Sequence, residues 1–266
     1  MNDILKMTID LKGKIRLSNT LISGKYNFSV MEMRVLVMLL SRVWFDNEIR
    51  TYEISVEQIA QLFSLKPQNV YKYLAKESAT KKNVLFYIDE LKEKDNSPSL
   101  WFSIFQYSRG KLTVRLSDDL KPYILQLRRD YTEFDLKELI LMDNVRAFRL
   151  YLVLISNFNK NNGCKRNPCI EYSISELKDM LSFYPEKFKF AEFRRCVLLP
   201  ALKCINTRTQ FMIFIKKHMS GKNVEKIEFD VWPSNTEETR IIFQEWEIET
   251  IDDYHSVVDI YIPSNC

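Results

Sequence analysis

Apolar residues recur at helical spacing in several separate stretches of this chain, and one such arrangement occurs twice. Residues 52–63 read Tyr-Glu-Ile-Ser-Val-Glu-Gln-Ile-Ala-Gln-Leu-Phe, and residues 170–181 read Ile-Glu-Tyr-Ser-Ile-Ser-Glu-Leu-Lys-Asp-Met-Leu. Each begins with a short strand-like run. Each then sets a serine three residues before Gln58 or Glu176, the spacing of a capping box that starts a helix. Ile59, Leu62 and Phe63 in the first copy match Leu177, Met180 and Leu181 in the second. A strand, a short capped helix, a turn and a second helix form a helix-turn-helix.

The flanks repeat as well. Before the first copy, Ser29 and Glu32 form another capping box, and the helix they open carries Met33, Leu36, Val37, Leu40, Val43 and Trp44 on one face. Before the second, Asp143 or Asn144 caps a helix with Ala147, Leu150, Tyr151, Leu154, Ile155 and Phe158 on one face. After the first copy, Pro67 stands at N1 of a helix that runs to about Lys82. After the second, apolar spacing predicts a helix from about Ala191 to Asn206, with a kink or an early end at Pro200. Strand patterns follow at Val84–Glu90, Leu100–Tyr107 and Lys111–Leu116, the last two joined at Arg109-Gly110. In the second half they are Gln210–Met219 and Asn223–Val231, joined at Ser220-Gly221. Three helices and a hairpin describe a winged helix. Two unrelated α+β lobes could share one capping pattern, but not so readily the whole order of strand, cap, stripe and hairpin. The expected fold is α+β: two tandem winged-helix domains. The expected boundaries are an arm at 1–14, a first domain at 15–130, a second at 131–233 and an acidic tail at 234–266.

A chain of 266 residues with 46% hydrophobic content is enough for two ordinary domains. The runs Val35–Leu40 and Leu150–Ile155 are too short to span a bilayer, and the N-terminus lacks a signal peptide's apolar core. The expectation is a cytoplasmic protein with no membrane contact.

Charge divides the second half sharply. From Lys187 to Lys226 there are ten basic residues and two acids, a local charge of +8. From Ile227 onward there are ten acids and only Arg240, a local charge of −9. The basic block covers the second reading helix and its hairpin, where a phosphate backbone would lie. The acidic tail is expected either to compete with phosphates as a tethered anion or to be a solvated appendage. Ile241, Ile242, Phe243, Trp246 and Ile248 also suit it for docking on the second domain.

No catalytic constellation emerges. The histidines are His218 and His255 alone, without the His-x-His spacing of rolling-circle nucleases. Tyr71, Tyr73 and Tyr123 have no metal site beside them to make them nucleophiles. None of the five glycines belongs to a phosphate-cradling loop. Glu237-Glu238 and Asp252-Asp253 read as solvated charge rather than Mg²⁺ ligands. Cys164 and Cys169 share a loop but lack further ligands, and with Cys196, Cys204 and Cys266 they read as reduced thiols. The chain is therefore expected to be no enzyme and to need no cofactor or metal.

Several segments, in order over roughly Ile15 to Val231, resemble the winged-helix replication initiators of theta-replicating, iteron-containing bacterial plasmids. They are Leu17-Ser18-Asn19-Thr20-Leu21-Ile22, Phe28 through Leu36, Leu120 through Leu127 with Tyr131-Thr132-Glu133-Phe134, Val145 through Tyr151, and Phe193 through Ala201 with Ile205-Asn206. The chain departs from the family in the exchanged aromatics of the Tyr131–Phe134 segment, and in Cys196 and Cys204, where a basic and an acidic residue are usual.

The resemblance implies binding to double-stranded DNA, as a monomer at repeated origin sites (iterons) and as a dimer at an operator of its own gene. It implies opening of adjacent AT-rich DNA and recruitment of the host initiator and helicase. Lys187, Lys189, Arg194 and Arg195 are then the main major-groove readers, and Lys216, Lys217 and Lys222 brace the second wing on the backbone. Gln68, Asn69, Lys72 and Lys76 contact mainly phosphates. Dimerisation is expected through the first domain's hairpin, whose strand carries Trp101, Phe102, Ile104 and Phe105. The rival readings are a transcription regulator without a replication role and a nicking or priming enzyme.

Overall fold

Three serines start three helices. Ser29, Ser55 and Ser173 each accept the backbone N–H of the residue three further on, and Glu32, Gln58 and Glu176 each return a bond to the serine's own N–H. These reciprocal bonds satisfy amides that the first turn leaves without helical partners. The computed structural model describes residues 5–7, 12–26, 28–80, 85–87, 99–161, 170–185, 187–233, 236–245, 248–250 and 252–254. Cys164, Cys169, Cys266, His255, Trp246 and the ends of the Val84–Glu90 strand lie outside the described residues.

The chain forms two units, Met1–Leu141 and Met142–Cys266. The first contains β1 (Leu5–Lys6), β2 (Lys14–Ser18), α1 (Asn19–Ser23), β3 (Lys25–Tyr26) and α2 (Val30–Asp46). Next come β4 (Tyr52–Ser55), α3 (Val56–Leu62), α4 (Pro67–Thr80), β5 (Leu85–Tyr87), β6 (Ser99–Leu100), β7 (Phe102–Ser108) and β8 (Lys111–Leu116). A 3-10 turn at Asp118–Leu120 leads into α5 (Lys121–Ile124), β9 (Tyr131–Asp135) and α6 (Leu136–Leu141). The second unit contains α7 (Val145–Asn161), β10 (Ile170–Ser173), α8 (Ile174–Met180), α9 (Phe190–Phe193) and α10 (Leu199–Arg208). Then follow β11 (Met212–Ser220), β12 (Asn223–Trp232) and α11 (Glu237–Glu245).

The repeat extends beyond the caps. Ser64 and Ser182, each closing the short helix, both have left-handed backbone, with φ of 51° and 49°. The Leu65 N–H donates to the Ala60 carbonyl at 2.8 Å, and the Phe183 N–H to the Lys178 carbonyl at 2.9 Å. In both units the strand before the short helix pairs antiparallel with the second strand of the wing, β4 with β8 and β10 with β12. The pairing is set by register, so Ser55 lies opposite Lys111 and Ser173 opposite Lys226. Both units are winged helices, as the patterning predicts.

Three features differ from the sequence expectation. First, residues 131–141 fall in the first unit, not the second. β9 pairs antiparallel with β2 from Ser18↔Tyr131 to Lys14↔Asp135, and the Thr132 hydroxyl donates to Asn19 Oδ1 at 2.7 Å in the interior. Second, the run Leu100–Tyr107 is two strands. It breaks at Trp101, whose 1%-exposed indole packs against Tyr26 and Phe28 at ring distances of 5.1 and 5.0 Å. Third, Pro200 neither ends nor visibly breaks the reading helix. It has no N–H for a helical bond, and the turn just before it, Arg194–Leu198, is π-helical, with the Leu199 N–H reaching the Arg194 carbonyl. The helix therefore runs continuously from Phe190 to Arg208.

The tail is part of the second unit. Ile242, Phe243 and Ile248 are buried with Met212 and Phe214 of β11, and Tyr254 packs against them. Among the described residues, no helix is long and apolar enough to cross a membrane.

Candidate nucleic-acid interface

In the second unit the apolar side of the reading helix faces the core through Phe193, Val197, Leu198, Ala201, Leu202 and Ile205. The opposite side exposes Ala191, Glu192, Arg195, Cys196, Pro200 and Lys203. Lys187 and Lys189 are exposed but lie ahead of the helix, and Lys189 is its N-cap residue. Apolar spacing likewise starts the helix at about Ala191, so both lysines belong to the segment that leads into it. In the first unit Pro67 stands at the first position of its helix, α4. Gln68, Lys72 and Lys76 fall on one exposed stripe of α4 at four-residue spacing, with Asn69 beside them and Val70 and Leu74 buried on the other side.

The arginine pair is divided. Arg195 points to solvent. Arg194 forms an ion pair with Glu249, a tail residue only 5% exposed. Lys217 of β11 reaches the same carboxylate at 2.9 Å. Arg194 and Lys217 are thus brought together by a residue that no motif or spacing singles out. Its carboxylate is one of ten acids in a segment whose charge pattern reads as solvated. Lys216 extends from the next position of β11 toward Glu228 at 3.8 Å, and Lys222 is exposed at the wing turn. Gly221 in that turn has φ of 60°, and nothing lies within 4 Å of where a Cβ would be.

Other charged contacts brace the helix. Arg208 near its end pairs with Asp143 at 2.5 Å, which leaves Asn144 alone to cap α7 through the N–H groups of Arg146 and Ala147. Cys204 is a core residue beside Asp143, and burial pushes its thiol up from the ordinary range. Burial is the largest influence on Asp143 and opposes its ionisation, but the hydrogen bond and the charge of Arg208, together with further hydrogen bonds, hold the carboxyl below its ordinary range.

One group was invisible to motif spacing because its members come from three strands. Glu171, His218 and Glu228 place one ligand atom each within 4.8 Å of one another on the outer face of the sheet. His218 Nε2 lies 2.7 Å from Glu228. Glu171 and Glu228 are directly opposite in the ladder, a repulsive arrangement. Lys226 at 3.7 Å from Glu171 and Lys216 at 3.8 Å from Glu228 already supply positive charge there. Tyr71 of the first unit donates its hydroxyl to Glu57 at 2.8 Å, a surface contact between α4 and α3.

Comparison with known proteins agrees with this geometry. Residues 14–155 match the family described as initiator replication protein, WH1, and residues 173–231 match initiator Rep protein, WH2. A replication initiation protein of Escherichia coli is 24% identical over 219 residues, covering 80% of this chain and 68% of that protein. The crystal structure of Pi initiator protein in complex with iteron DNA is similar with a TM-score of 0.62 at 20% identity, over 84% of this chain and 98% of the other. With two winged-helix units in the family's order and the family match spanning more than half its length, the chain belongs to the replication initiator proteins built from WH1 and WH2 domains.

Proposed function

We propose that this protein initiates replication of a plasmid by binding repeated iteron sites at its origin. The observation that carries the reading is the coincidence, in the second unit, of a +8 charge block with the outer side of a reading helix and its wing. Arg195 and Lys203 on that helix and Lys187 and Lys189 before it face solvent together. Arginine can pair bidentately with guanine O6 and N7, and lysines suit the backbone. Lys216 and Lys222 on the wing, and Gln68, Asn69, Lys72 and Lys76 on α4, serve as phosphate contacts, whereas Lys217 is held on Glu249. Iteron binding is what the similar Pi initiator was crystallised doing, and it supports the same role here.

The finer parts of the reading rest on the family resemblance. The monomer engages iterons, AT-rich DNA opens beside them, and the host initiator and helicase are recruited. A dimer formed through the first unit represses the protein's own gene.

The test is to footprint the full-length protein on the DNA flanking its gene. Protection of tandem repeats about two helical turns apart is expected. Protection of a lone inverted repeat, with no repeats and no replication of a plasmid carrying the region, would instead make the protein a transcription regulator.

A further inference from the structure

Glu249 holds a carboxylate at 6% side-chain exposure between cations from two different elements, Arg194 of the reading helix and Lys217 of the wing. Several bonds fix it there. Its carbonyl accepts the Ile215 N–H at 2.8 Å, along the outer edge of β11. Its N–H and that of Thr250 donate to Asp253 Oδ2 at 3.3 and 2.9 Å, and the Asp253 N–H returns to Thr250 Oγ1 at 3.1 Å. This is a local cap that locks the turn. Ile248, its neighbour, is buried with Met212, Phe214, Ile242 and Phe243.

We infer that Glu249 is a positioning residue for DNA binding: it ties the reading helix to the wing and sets the spacing between them. The inference rests on the DNA-binding reading of the second unit. A winged helix engages DNA at two places, base edges through the helix and backbone through the wing, so the offset between them decides whether both fit. Without the carboxylate, Arg194 and Lys217 face each other as like charges. Burial pushes the Lys217 ammonium below its ordinary range and Arg194 pushes it further, against Asp253. Glu249 relieves that repulsion and gives Arg194 one orientation.

The alternative role, a tethered anion that yields to DNA, fits the geometry less well. A competitor must leave easily. Glu249 leaves only if the edge bond to β11 breaks and the apolar cluster is uncovered. Positioning and competition predict opposite signs, so one substitution separates them.

Full-length wild type first selects its best duplex from a random library. Wild type and Glu249→Gln are then measured on that duplex and on a random one, at low and high salt, with unfolding midpoints alongside. The substitution keeps the shape and removes one negative charge, so charge alone favours tighter binding. Positioning predicts the reverse: about 5- to 50-fold weaker binding to the selected duplex, a smaller loss on random DNA and a lower specificity ratio. A loss of fold stability alone would leave that ratio unchanged below the unfolding midpoint, and that result would overturn the role. Equal or tighter binding would also overturn it. Should Glu249→Gln not fold, the charge exchange Lys217→Glu with Glu249→Lys decides. Discrimination better than that of Lys217→Glu alone is expected, and none would overturn the inference. If wild type selects a sequence that is not repeated beside its gene, the origin reading fails. The sign of the Glu249→Gln effect on random DNA then still decides the positioning role.

Discussion

The side chain of Asn206 pairs with the backbone of Ile213 as a neighbouring strand would. Its Nδ2 donates to the Ile213 carbonyl at 2.9 Å, and its Oδ1 accepts the Ile213 N–H at 2.8 Å. Asn206 is wholly buried near the end of the reading helix, and Ile213 lies near the start of the wing. One carboxamide thus closes the upper edge of β11 and fixes where the wing leaves the helix.

Removing it leaves a buried N–H and a buried carbonyl without these partners. Asn206→Ala should cost about 2–4 kcal/mol in urea unfolding of the full chain. Asn206→Asp should also destabilise, because a carboxylate cannot donate to the Ile213 carbonyl. A loss below about 0.5 kcal/mol for Asn206→Ala would show that water replaces the pair.

How far the sequence reveals such features depends on their range along the chain. The capping boxes at Ser29, Ser55 and Ser173 were legible because cap and partner are three residues apart. The ladder of β2 with β9 was not, since Leu17 and Thr132 lie far apart in sequence and each strand alone is short. Its two strands did stand out as separate family segments, but nothing in either one named the other as its partner. The π turn before Pro200 was half legible. Proline forbids one helical bond, but whether the helix stops or widens depends on the buried residues on both sides, Phe193, Val197, Ala201 and Leu202. Glu249 could not be found, because burial of an acid depends on partners at 194 and 217.

The division of the arginines yields a specificity prediction. Arg195 faces solvent and Arg194 is paired, so their substitutions should differ in kind. Arg195→Ala should cost about 1–3 kcal/mol on the selected site and much less on random DNA. Arg194→Ala should also lower the unfolding midpoint, because it strands the buried Glu249 carboxylate beside Lys217 alone. Equal losses on both DNAs for Arg195→Ala would remove it from base reading.

The first unit should dimerise by itself when taken as residues 1–141, the length that includes β9 and α6. Among the described residues β7 lies at the edge of the sheet ordered β1-β4-β8-β7, and Ile104 and Phe105 on it are only partly buried. An unprotected edge invites pairing with a second copy. Sedimentation at tens of micromolar should show a dimer that Ile104→Lys weakens. A strict monomer would exclude this edge as the interface.

Acid should act on the first unit through Asp118. Hydrogen bonds from Arg115 first, at 2.8 and 3.0 Å, and from Lys121 hold its carboxyl down at about 2. The folded value lies below the unfolded one of about 3.9, so the contribution is complete above that value and is lost as pH falls through about 2. The Asp118 side chain is 52% exposed, and solvent screening limits the effect to roughly 0.2–1 kcal/mol. The stability gap between wild type and Asp118→Asn should therefore hold from pH 7 to about 4 and close toward pH 2. A gap that widens on acidification would contradict the assignment.

The tail offers the clearest contrast between charge pattern and packing. Its acids suggest a segment in water, but Phe243 is 2% exposed, stacked on Tyr254 at 5.6 Å and tilted against Phe214 at 5.8 Å. Phe214 belongs to the wing strand that carries Lys216 and Lys217, so this cluster supports the wing. Phe243→Ala would open a cavity there and should cost about 3–5 kcal/mol. A solvated appendage would lose no more than about 0.5 kcal/mol from the same change. The neighbouring Ile241, 45% exposed, is the internal control, because Ile241→Ala removes a side chain that helps form no cavity. Urea unfolding of the two variants should separate them by at least about 2 kcal/mol. If both are near wild type, the tail's acids do act from solution, and any effect of removing residues 234–266 on DNA affinity would be electrostatic and fade with salt.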